Sequence, residues 1–82
     1  MPRLPVVSWK ELTKMLDKLG YNLKRYGKGD HMIFSYEKPL KGYGMVSVPR
    51  HKEIDTGTLK DILQIVSDHT GKTEEELEEM LR

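Results

Sequence analysis

Between Gly20 and Pro49 the spacing of apolar residues changes from helical to strand-like, and it changes back after Pro49. Three short runs, YNLKRY, HMIFSY and MVSVP, are separated by GKGD and by the longer polar segment EKPLKGYG. Gly-rich GKGD has the turn chemistry of a hairpin, and Pro49 closes the third run. Three short strands in sequence form an antiparallel meander. A meander this small needs helices over one face to bury its apolar side.

The flanking segments supply those helices. VSWKELTKMLDKLGY opens with a capping box, Ser8 accepting from the Glu11 N–H while Glu11 reaches back to Ser8. Val7 and Leu12 occupy the positions of a hydrophobic staple. Trp9, Leu12, Met15, Leu16 and Leu19 form one apolar stripe, and Gly20 ends the helix. Lys10, Lys14 and Lys18 run down another face, a row that either solubilises the helix or tracks a phosphate backbone. In IDTGTLKDILQIVSDHTG, Asp55 or Thr56 caps a second helix with Leu59, Ile62, Leu63 and Val66 buried and Gly71 at its end. Thr73 and Glu76 repeat the capping box for a short acidic helix that docks Leu77, Met80 and Leu81. The expected fold is α+β and two-layered. It has the order α-β-β-β-α, with a three-stranded antiparallel sheet, helices on one face, and a short C-terminal helix.

Side-chain alternation places Met32, Phe34 and Tyr36 on one side of the sheet and His31, Ile33 and Ser35 on the other. With Phe34, Val46 and Val48 turned toward the helices, His31 stands on the open face. A titratable ring at the head of the best strand-forming run is the feature that most needs a function.

The chain has 82 residues, no cysteine and a formal net charge of +1. Length predicts a single domain over 1–82, with its core at about 8–70 and an acidic helix at 73–81. Disulfides and thiolate metal sites are excluded. No secretory h-region or membrane-length apolar run is present, so a cytoplasmic protein with no membrane association is expected. The small net charge hides a segregation. Residues 1–50 hold ten Lys/Arg against four Asp/Glu, and residues 51–82 hold four against nine. A basic half suits a polyanion such as nucleic acid, and it equally suits a solvated, sign-segregated surface.

KGDHMIF, then VSVPRH, then EIDTGTLKDIL, after an N-terminal KELTKMLDKLGY, resembles the HicA toxin family from about Ser8 to Val66. The resemblance implies a fold like the double-stranded-RNA-binding domain. It also implies messenger-RNA cleavage and a HicB-type antitoxin partner. The family's catalytic histidine sits in a Gly-x-His motif, which falls on His31 after Gly29. Asp30 stands between them, where family members commonly carry serine.

RNA cleavage without a metal uses the neighbouring 2′-OH as nucleophile. It needs a base for that proton, an acid for the leaving 5′-oxygen, and cations or N–H donors for the charged phosphorane. Imidazole, with an unperturbed pKa of about 6.5, suits the proton transfers. Pairing Tyr36 with Met45 across the 37–44 loop predicts Arg50 opposite His31, with His51 adjacent. The DTGT start of the second helix then offers free N–H groups to an anion. Lys28, His31, Arg50, His51, Thr56 and Thr58 are thereby expected around one phosphate, with Gly29 in the turn and Lys24 and Arg25 on the first strand as further RNA contacts. Tyr21, Tyr26 and Tyr43 are candidates for base stacking, and Tyr36 and Trp9 for the core. His69 is expected near a helix terminus that welcomes a cation. Asp30 beside His31 is no metal ligand set, because strand neighbours face opposite ways, and no helical His-x-x-x-His pair occurs. The expected protein is a metal-independent endoribonuclease with no cofactor, monomeric when free. The alternative is a non-catalytic RNA-binding module of the same fold, in which His31 is incidental.

Overall fold

The computed structural model describes residues 4–82. Its elements are α1 (Trp9–Leu19), β1 (Asn22–Tyr26), β2 (His31–Ser35), β3 (Met45–Pro49), α2 (Thr56–Thr70) and α3 (Glu74–Leu81). The strands form an antiparallel sheet in the order β1-β2-β3, the α+β arrangement α-β-β-β-α followed by a third helix.

Local signals account for the helix ends. Ser8 and Glu11 form a complete capping box, as do Thr73 and Glu76. Asp55, rather than Thr56, caps α2. Gly20 and Gly71 end α1 and α2 in the left-handed conformation. Met32, Phe34, Val46 and Val48 are buried with Leu12, Leu16, Leu59, Leu63 and Val66, so the helices cover the face expected of them. Leu77 is fully buried and Leu81 nearly so, but Met80 is 38% exposed and does not dock. An eight-residue helix turns two of its three apolar residues inward, and position 80 falls outside that arc.

The β2–β3 register corrects the sequence expectation by one residue. Phe34 pairs with Val46, Met32 with Val48, and His31 with Pro49, not with Arg50. Two bonds carry the same register past both strand ends, Tyr36 N–H to the Gly44 carbonyl at 2.6 Å and Arg50 N–H to the Asp30 carbonyl at 2.8 Å. The reason is parity. Directly paired residues of an antiparallel ladder share a face, so a core containing Phe34, Val46 and Val48 requires Phe34 opposite a valine. The shifted register would turn both valines to solvent, at about 1.5–3 kcal/mol each. Gly44 makes the loop possible. Its φ is +73°, and a side chain there would collide with the Tyr36 carbonyl oxygen.

At the loop end of the sheet the structure departs from expectation again. Tyr21 is 3% exposed and not available to stack a base. Its hydroxyl lies 2.6 Å from Nδ1 of His69, and the Tyr36 ring stacks on the same imidazole at 6.3 Å. His69 is itself 3% exposed, a buried ring rather than a terminal cation. Burial lowers its pKa below the ordinary 6.5, against the smaller opposing pull of Asp68. Burial, and then Tyr36, push the Tyr21 hydroxyl up. Tyr21 therefore donates and His69 accepts, with the imidazole neutral.

This pairing has a pH signature. The unfolded chain takes up a proton at His69 near its ordinary value, whereas the folded chain resists it. The stability is therefore full above pH 6.5 and declines as pH falls from there through the lowered folded value. The urea midpoint should fall between about pH 7.5 and pH 5 in the wild type, and the decline should flatten in a Tyr21→Phe/His69→Leu double variant that removes both polar partners together. Glu76, held below its ordinary 4.5 by hydrogen bonds from Thr73, adds its own loss only in more acidic solution.

Candidate functional site

The GKGD turn sets the site. The His31 N–H bonds the Lys28 carbonyl at 3.4 Å, and the Gly27 N–H bonds the His31 carbonyl at 2.8 Å. Gly29 has φ +63° and Asp30 does not enter the positive region, the sign pattern of a type II′ turn. The N–H groups of Lys28, Gly29 and Asp30 meet no acceptor among the described residues. Three successive N–H groups thus face solvent immediately before the histidine.

His31 is exposed on the open face. Its strand neighbours are Pro49 on β3 and Gly27 at the end of β1, neither of which carries a long side chain to crowd the ring. Nδ1 lies 3.3 Å from the Lys28 carbonyl oxygen. A carbonyl only accepts, so Nδ1 bears a proton in that contact, and Nε2 meets no partner among the described residues.

The cation sharing this face is Arg25. A bulge between Leu23 and Arg25 leaves Lys24 as the extra residue and pairs Arg25 with Ile33. Arg25 and Ile33 therefore stand on the open side, one diagonal from His31. Tyr26 pairs with Met32 and turns to the helix side, where it remains 62% exposed. Without the bulge Arg25 would oppose buried Met32.

Arg50 lies elsewhere than expected. In the observed register it continues the row of Met32 and Val48, toward the helices. Its guanidinium stands 5.1 Å from the Trp9 ring centre and 5.9 Å from that of Tyr26. Trp9 is half-buried and touched by Lys10 as well, at 5.8 Å. The His51 side chain is exposed beyond Arg50, and its carbonyl accepts the Trp9 N–H at 3.0 Å, tying this loop to the start of α1. The expected anion pocket at the start of α2 is already occupied. The Asp55 carboxylate takes the N–H groups of Gly57 and Thr58 at 3.1 and 3.3 Å and brings negative charge with it. Thr56 is exposed and Thr58 half-buried beside that carboxylate. Tyr43 is 98% exposed, but its loop lies at the other end of β2, roughly 15 Å of strand away from His31.

The open sheet face thus gathers His31, Arg25 and the Lys28–Asp30 turn. Arg50, Trp9 and Tyr26 gather on the helix side of the same sheet end. Trp9 packs against the core as expected, and sequence reasoning missed its contact with Arg50 and the role of the bulge. The parity of Phe34 and Val46 was the available signal for the first, since it sends Arg50 toward α1. No signal in a single sequence marks the second. Among the described residues no three of His, Cys, Asp and Glu cluster as metal ligands, and no helix is long and apolar enough to cross a membrane.

A small α-β-β-β-α protein that carries a histidine on the uncovered face of its sheet, after a glycine turn, is the class these observations define. The family model of the HicA toxin of bacterial toxin–antitoxin systems matches residues 9–67, and the chain belongs to that family. It is accordingly the toxin of a toxin–antitoxin pair, with an antitoxin as partner. No curated protein and no solved structure matches it.

Two outcomes check the geometry. Gly29→Ala should cost about 1–2 kcal/mol in a urea melt although no atom lies within 4 Å of the added carbon, because the cost is conformational. Nitrogen-detected NMR of neutral His31 should show the Nδ1–H tautomer in excess over the Nε2–H form that dominates free imidazole side chains.

Proposed function

We propose that the protein is a metal-independent endoribonuclease that cleaves messenger RNA in the cytoplasm, with His31 as the proton-transfer residue, and that a HicB-type antitoxin restrains it. The observation that carries this reading is the ring of His31. It is exposed on an uncovered sheet face, its Nδ1 meets the Lys28 carbonyl, and its Nε2 has no partner among the described residues.

In this mechanism Nε2 of His31 accepts the proton of a ribose 2′-OH. The 2′-oxygen forms a bond to the adjacent phosphorus, and the bond from phosphorus to the 5′-oxygen breaks. His51 is the second proton carrier, delivering a proton to the departing 5′-oxygen. Arg25, Lys28 and the N–H groups of Lys28, Gly29 and Asp30 stabilise the charge on the non-bridging oxygens. The products are a 2′,3′-cyclic phosphate, which water opens to a 3′-phosphate, and a 5′-hydroxyl. Lys24, the extra residue of the bulge, and the Lys10–Lys14–Lys18 row supply positive charge farther along the strand. Asp30 works against phosphate approach, and its replacement by serine should raise kcat/KM.

A masked state follows from the chemistry, since unrestrained cleavage of messenger would arrest the cell. An antitoxin covering His31 with acidic residues would meet a basic sheet end. Free toxin is proposed to be monomeric.

Incubating wild type and His31→Ala with a long RNA in excess chelator tests the reading. Wild type should cut to 5′-hydroxyl ends, and His31→Ala should lose at least a hundredfold in rate, the usual weight of a general acid–base group being about 10²–10⁴. Cleavage that survives the substitution removes His31 from the mechanism. No cleavage by either protein favours the RNA-binding module, and wild-type cleavage lost to chelator alone favours metal hydrolysis.

A further inference from the structure

The helix side of the sheet end carries a feature that the cleavage mechanism does not use. The Arg50 guanidinium lies over two aromatic rings from different elements, Trp9 at the start of α1 and Tyr26 at the end of β1. Its backbone is tied to Asp30 by a 2.8 Å bond, one residue from His31. Three elements therefore hold this cation in place: the rings by cation–π attraction and β2–β3 pairing through the main chain.

Its donors are unspent. No carboxylate or carbonyl among the described residues accepts from the Arg50 side chain, which meets only the two rings there. A structural arginine normally ends on an acceptor. Here a planar fork of N–H groups lies over two rings on an exposed residue, a place that can receive a phosphate. Tyr26 is 62% exposed, so its ring has surface left for a second flat partner. A free cationic edge beside an open aromatic face matches one nucleotide: phosphate on the guanidinium, base on the ring.

We infer that Trp9, Arg50 and Tyr26 form a nucleotide clamp for single-stranded RNA, holding the residue next to the one positioned at His31. This rests on the proposed action on RNA. His31 faces the open side and Arg50 the helix side of one sheet end, joined through the Asp30–Arg50 bond. A strand engaging both bends over the 27–30 turn, with the scissile phosphate on the open face and its neighbour in the clamp. Arg50 is then a binding residue for the adjacent nucleotide rather than a stabiliser of the phosphorane.

The test uses a short 2′-O-methyl oligoribonucleotide, which lacks the nucleophile and cannot be cleaved, so the result does not depend on His31 chemistry. Trp9 is the only tryptophan in the chain and reports directly. Adding the oligonucleotide to wild type should change Trp9 emission. Arg50→Ala should weaken binding about tenfold and lower the slope of log affinity against log salt by about 1. Arg50→Lys should keep the salt slope yet still lose most of that affinity, because an ammonium has no plane to stack or fork to offer. Tyr26→Leu should lose affinity about tenfold with the slope unchanged. All three positions are at the surface or half-buried, and thermal melts of the variants identify any loss of fold. Unchanged affinity in Arg50→Ala and Tyr26→Leu, an unresponsive Trp9, or absence of binding by wild type would each overturn the clamp. Weakened binding of an antitoxin with RNA affinity intact would overturn it in favour of a protein contact. Cleavage by wild type alongside any of these results leaves the nuclease reading standing.

Discussion

The pairing of Phe34 with Val46 is the constraint from which the rest of the molecule follows. Both side chains must enter the same hydrophobic layer, and an antiparallel ladder puts directly opposed residues on one face. Once that pair is made, every other position on β2 and β3 has its side assigned. His31 cannot avoid the open face, and Arg50 cannot join it there. The same pairing carries the Asp30–Arg50 bond that closes the sheet end.

The bulge at Lys24 performs the corresponding task on the other edge. It shifts the parity of β1 by one, sending Arg25 to the face of His31 and Tyr26 to the face of Arg50. One sheet end thus presents two chemically different sides. The open side has an exposed imidazole, a cation and unbonded N–H groups, the kinds of group that the proposed cleavage of a phosphodiester calls on. The helix side has an ordered guanidinium and aromatic surface, suited to gripping a nucleotide without reacting with it.

The three histidines show how much environment decides. His31 is exposed and steered by a carbonyl, so its second nitrogen has no partner among the described residues. His51 contributes its carbonyl to the first turn of α1 and leaves its ring in solvent. His69 is enclosed with Tyr21 and Tyr36, where it joins the start of β1, the end of β2 and the end of α2 as a neutral acceptor. Its own carbonyl also holds the 37–44 loop through the Leu40 N–H at 2.9 Å. One end of the sheet is thereby sealed by aromatic packing while the other stays open.

Much of this was legible in the residues themselves. Ser8-x-x-Glu11, Asp55 and Thr73-x-x-Glu76 mark helix starts because caps are made by atoms a few residues apart. The alternation around Phe34 assigns His31 to the open face for the same short-range reason, and the Gly29–His31 spacing carries the family resemblance. What tertiary structure alone decided are the β2–β3 register, the bulge, the burial of Tyr21 with His69, and the stack of Trp9, Arg50 and Tyr26. Each of these joins segments far apart in sequence, and each is chosen by which arrangement buries apolar surface on a shared face. That choice is made by the whole core at once and leaves no mark at any one position.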